Sequence, residues 1–174
     1  MNTLTRRDVL GAGTTLLAGV LFSWPAGAAP ELTLELQGAI LGKALNYVQT
    51  LASKSPRVLV LGGGAEADAA RLVTTLKQLG SDAKFASALT DSDAKWADAV
   101  YAFSGHLTVS LSQSCADYGM LSLTGELPAV EAGRASVAVT SDQQKASLVI
   151  NLTRVQTEQH RLSSQLLKLA RVIR

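Results

Sequence analysis

The chain has 174 residues, a net charge of +2, 47% hydrophobic residues and only 5% aromatic ones. That length suits one domain and the aliphatic composition provides a core, which excludes a disordered chain. Lys and Arg are scattered without interleaved aromatics, so no nucleic-acid partner is expected.

Residues 1–28 read as an export signal. Arg6 and Arg7 precede a moderately apolar run over 9–23, and Ala26-Gly27-Ala28 has the small-residue pattern of a cleavage site. Thr5-Arg6-Arg7-Asp8-Val9-Leu10 resembles a twin-arginine motif, with the general secretion route and an uncleaved anchor as alternatives. Each places the body outside the cytoplasm, and the periplasm is the expected compartment. Cys115 is the only cysteine, so no intrachain disulfide can form and stability must come from packing.

The mature domain, 29–174, begins with helical spacing over 35–52, through Leu41, Leu45, Val48 and Leu51. Residues 57–61, R-V-L-V-L, form a continuous aliphatic run that predicts a buried strand. Gly62-Gly63-Gly64 then turns the chain into a predicted helix over 65–79, closed by Gly80. A second strand is expected over 83–88, a short helix or loop over 91–97 and a third strand over 99–103. The alternation of 107–111 suggests a fourth strand, followed by a loop over 112–118 and a fifth strand over 120–123. Residues 125–133 read as a connection. Residues 137–140 and 147–150 flank a polar turn and predict a hairpin.

At the C-terminal end, Thr153 and Gln156 have capping-box spacing, which predicts a short helix there. A last helix is expected from about 163, with Leu162, Leu166, Leu169 and Ile173 on one face. Strand, glycine turn and helix followed by further strands imply an α/β fold. The predicted form is a Rossmann-like three-layer sandwich, with a mostly parallel sheet, a C-terminal antiparallel hairpin and a final packed helix.

Several residues could carry chemistry. Gly62, Gly64 and Ala67 fit G-x-G-x-x-A, which can hold a phosphate on helix N–H groups, although Glu66 and Asp68 would repel one. A plain strand-to-helix turn is the alternative. Ser104 and His106 follow the third strand, where a doubly wound sheet lines its ligand crevice. Gly62, Gly63, Gly64, Ser104 and His106 are therefore the candidate ligand-binding residues. Cys115 fits no nucleophile signature beside His106, His160 or Asp117, but could be a redox-sensitive or intermolecular thiol. Two histidines without ligand spacing predict no metal site. Asp82, Asp91, Asp93 and Asp98 read as solvated carboxylates. Arg161, Lys168, Arg171 and Arg174 make a basic end that could meet anionic lipid or an acidic partner, or simply face solvent.

Four stretches together resemble the YfiR-like family: His106-Leu107-Thr108-Val109-Ser110, Gly119-Met120-Leu121-Ser122-Leu123, I-N-L at 150–152, and L-S-S-Q-L-L-K-L-A-R-V at 162–172. The resemblance spans about 58–173. It implies a periplasmic, non-enzymatic regulator without a cofactor. Such a protein would bind the sensor domain of a membrane diguanylate cyclase or histidine kinase and repress cyclic di-GMP signalling and biofilm formation. It also implies a possible homodimer. The chain departs from the family in lacking a cysteine pair, and in having only Tyr47 and Ser55-Pro56 where relatives carry aromatics and Trp-Pro. A periplasmic small-molecule-binding module using the glycine-turn crevice is the alternative.

Overall fold

The computed structural model describes residues 32–52, 54–62, 66–142 and 145–174. The expected export signal, Gly63, Gly64 and the hairpin tip lie outside the described residues.

One seven-stranded sheet runs through the molecule: β1 (Arg57–Leu61), β2 (Asp82–Ala86), β3 (Ala99–Ala102), β4 (Leu121–Thr124), β5 (Val137–Asp142), β6 (Lys145–Asn151) and β7 (Arg171–Ile173). Its order is β2-β1-β3-β4-β5-β6-β7. The first five strands are parallel. β6 is antiparallel to β5, and β7 is parallel to β6. This bears out the expected α/β class, the mostly parallel sheet and the hairpin.

The helices are α1 (Leu34–Leu45), α2 (Glu66–Gln78), α3 (Asp91–Trp96), α4 (Val109–Tyr118), α5 (Leu127–Glu131), α6 (Leu152–Thr157) and α7 (Ser164–Leu169). Strand alternation sorts the core into two sides. Val58 and Val60 face α1 and α2, with Tyr101, Leu123, Ile150, Val155 and Leu166 on the same side. Leu59 and Leu61 face the other side, with Ala94, Leu111, Cys115 and Val130 from α3, α4 and α5. Burying each such Val or Leu contributes about 1.5–3 kcal/mol. Gly38 lets α1 lie close on α2, because a Cβ there would meet Leu72 at 2.8 Å. Gln37 crosses the core, donating to the Val139 carbonyl at 2.9 Å and accepting from the Tyr101 hydroxyl at 3.0 Å.

Four local expectations change. First, α1 stops at Leu45, and 46–52 form turns. Val48 and Leu51 are buried there, and that burial mimics helical spacing. The turn is tied to the far end of the sequence: Gln49 N–H donates to the Arg161 carbonyl at 2.8 Å and Ser163 N–H to the Tyr47 carbonyl at 3.0 Å. Second, the predicted strand over 107–111 and the loop after it are α4. The Thr108 hydroxyl caps it, accepting from Leu111 N–H at 3.1 Å, and Gly119 closes it in the left-handed conformation. Third, the cap of α6 is Asn151, not Thr153: its side chain accepts from Arg154 N–H at 2.9 Å. Fourth, the last helix ends at Leu169, and the chain continues as β7 on the open edge of β6. Arg171 and Arg174 therefore lie beyond the helix, and Arg171 pairs with Glu131 at 3.0 Å.

Candidate functional site

With the order β2-β1-β3, successive connections leave β1 on opposite sides, so the topological switch lies between β1 and β3. Gly62 ends β1 at φ +65°. His106 arrives after the Ser104-Gly105 turn, held by its N–H on the Phe103 carbonyl at 3.0 Å. The imidazole lies directly over Gly62: a Cβ at that position would fall 2.4 Å from the ring. The structure thus joins two of the predicted residues, and the chain's own side chain covers the backbone at the switch point.

Beside His106 is a cavity of about 260 Å³, lined by the hydroxyl residues Ser87, Thr108, Ser110 and Ser114 above Leu61. Ser104 is not among its lining residues. Nor was this hydroxyl set visible in the sequence, because 107–111 alternates like a strand. The first turn of α4 carries no acidic residue, so the cavity suits a small neutral or anionic group.

Cys115 does not supply the exposed thiol expected of a redox or intermolecular role. It is fully buried on the inner face of α4. Burial, with the nearby Glu158 charge, pushes its thiol far above the ordinary range. A thiolate nucleophile or a bridge between chains is incompatible with that position.

At the opposite end, where the parallel strands begin, three ionisable groups are gathered by loops. Asp98 is not a solvated carboxylate. It accepts from Arg57 N–H at 3.0 Å, from the Arg57 guanidinium at 3.1 Å and from Lys54 Nζ at 2.6 Å. Burial alone would raise its pKa, but the Arg57 and Lys54 hydrogen bonds outweigh it and bring the carboxyl down to about 2. Glu158 is wholly enclosed. It accepts from Ser122 N–H at 2.9 Å, Ser122 Oγ at 2.6 Å, Ser136 Oγ at 2.5 Å and Arg154 Nε at 2.9 Å. Burial pushes its carboxyl up against the pull of those donors.

His160 is buried nearby, with Nδ1 at 2.7 Å from the Thr50 hydroxyl. Its Nε2 is buried and has no hydrogen-bond partner among the described residues. Burial lowers its pKa, against a smaller opposing pull from Gly119 and Asp98.

His160 also forms part of the wall of an open cleft of about 560 Å³. Gln49, Gln156, Gln159 and Arg161 give the cleft its polar rim, and Leu152, Leu162 and Leu167 its apolar floor. Sequence reasoning missed this site because the turn that carries Gln49 read as helix. No cluster of three potential metal ligands occurs among the described residues. No helix among them is long and apolar enough to cross a membrane.

No protein-family model and no curated protein matches the chain. Solved structures with a similar fold include a conserved domain protein from Vibrio cholerae O1 biovar El Tor, at 17% identity and a TM-score of 0.58, with 81% of this chain covered. Another is an ABC domain from Streptococcus pneumonia in complex with L-Trp, at 12% identity and a TM-score of 0.62, with 79% of this chain covered. The chain spans 60% of the length of each. At these identities the likeness is one of fold.

Proposed function

We propose that the chain is a periplasmic, non-enzymatic regulator that binds the sensor domain of a membrane diguanylate cyclase or histidine kinase and represses cyclic di-GMP signalling. The observation that carries this reading is the cleft. Its leucines, Leu152, Leu162 and Leu167, belong to the two C-terminal stretches that resemble the YfiR-like family. The cleft is wide, open and rimmed by long polar side chains, which suits a segment of another protein better than an enclosed small molecule. A regulator of this kind needs only a higher affinity for the inactive state of its partner.

The test is genetic and biochemical. Deleting the gene is expected to raise cyclic di-GMP and biofilm, and in-cell crosslinking is expected to recover a membrane signalling protein. Unchanged cyclic di-GMP together with recovery of the chain alone would overturn the reading.

A second reading, a small-molecule-binding module, is favoured by the hydroxyl-lined cavity beside His106 at the switch point. Binding of L-tryptophan, the ligand in one structural neighbour, is its first test. Thermal stabilisation by L-tryptophan that disappears in Ser110→Leu would support it, and an unchanged melting temperature would count against this ligand.

A further inference from the structure

We infer that the cleft at the amino ends of the parallel strands recognises an extended, acidic peptide segment, with glutamine amides reading its main chain and Arg161 taking its carboxylate. This deepens the regulatory reading and rests on it for the identity of the partner, though not for the chemistry.

Gln159 provides the first argument. It is the only non-glycine residue with positive φ among the described residues, at 61°. It follows α6 at the position where the closing motif favours glycine: Gln159 N–H donates to the Gln156 carbonyl and His160 N–H to the Val155 carbonyl, both at 3.0 Å. Local backbone preference therefore runs against a long side chain here, and that side chain lines the cleft.

The second argument is convergence. Gln49 reaches the cleft from the turn after α1, and its backbone is bonded to that of Arg161 at 2.8 Å. Gln156 and Gln159 reach it from the end of α6. None of these four side chains makes a hydrogen bond to another described residue, whereas the buried Gln37 makes two. Each amide offers donors and an acceptor together, the pattern that a peptide main chain complements.

Charge fixes the third term. Arg161 is the only Lys or Arg lining the cleft, and no Asp or Glu lines it. A guanidinium in that setting selects a carboxylate. The leucine floor accepts a neighbouring aliphatic side chain.

The test uses the purified full chain and two probes, N-acetyl-leucyl-glutamyl-leucinamide and its lysyl counterpart, titrated by amide NMR. The glutamyl probe is expected to shift the resonances of Gln49, Gln156, Gln159 and Arg161 saturably, and to bind at least about tenfold tighter than the lysyl probe. Arg161→Ala should erase that preference. Gln159→Gly should raise the melting temperature and still weaken binding by about threefold or more, a combination that a purely structural role for Gln159 does not produce. The inference is overturned by any of three results: no saturable shift, equal binding of both probes, or shifts confined to Ser87 and His106. Because no membrane partner is present, failure here leaves the crosslinking result standing. Unchanged cyclic di-GMP together with failed crosslinking removes the regulatory reading and leaves the peptide chemistry.

Discussion

Glu158 Oε1 and Ser122 Oγ lie 2.6 Å apart, 36 residues apart in sequence, in a fully buried pair. Through this contact the end of α6 is fixed to β4, and through Ser136 to the start of β5. Arg154 completes the set from one turn back, with only 13% of its side chain exposed. Glu158→Ala would leave that guanidinium without its carboxylate, bonded only to the Ser112 carbonyl, and strand three serine donor groups. The expected loss is about 3–5 kcal/mol in urea unfolding. A loss below about 1 kcal/mol would show that the network is not a structural fastening.

Asp98 sets an acid limit. Its folded-state pKa, about 2, lies below the ordinary 3.8, so its contribution is complete above pH 3.8 and lost as pH falls towards 2. Discounted for the solvent around Lys54 and Arg57, it is worth about 1–2 kcal/mol. Asp98→Asn should remove that part of the pH dependence. Parallel unfolding curves for the variant and the parent across this range would contradict the assignment.

His160 acts in a separate window. Its folded pKa lies below 6.5, so the unfolded chain takes up the proton first and stability declines as pH drops below 6.5. The ion-paired Asp98 and Lys54 act on its charge in opposite directions. His160→Gln should flatten the slope that sets in below pH 6.5, while leaving the Asp98 region unchanged. Chemical unfolding at half-unit pH steps would reveal either outcome.

Gly62→Ala meets two obstacles, the left-handed backbone and the His106 ring. The expected cost is about 2 kcal/mol, of which the backbone part is about 1 kcal/mol. The double variant with His106→Ala should recover the contact part alone. Full recovery would mean that φ at this position carries no penalty.

Legibility in the sequence followed the kind of force at work. The boundaries of β1 match the aliphatic run because a strand buried on both faces needs continuous apolar residues. The hairpin and α2 were equally plain. α4 was not, since Leu107, Val109 and Leu111 alternate with hydroxyl residues. What decides for helix is the Thr108 cap and the burial of Leu111, Ser112 and Cys115 on one side. β7 was hidden for another reason. Leu169, 74% exposed, looked like part of an apolar helix face, but the open edge of β6 offered hydrogen bonds that the helix pattern could not anticipate. At the candidate site, Gly62 and His106 were legible as strand-end residues. The cleft was not, because its two sides meet through long-range hydrogen bonds between the turn after α1 and the stretch before α7.

Those bonds affect the order in which the chain can be completed. Thr50 and His160 are 110 residues apart in sequence, and Val48 bridges to Leu162 close by. During synthesis, the turn after α1 exists long before the residues that hold it. Closing so long a loop is entropically costly and comes after the nearer strand pairings. The turn after α1 is therefore fastened late, once residues 160–163 have been made, and the cleft is assembled only then.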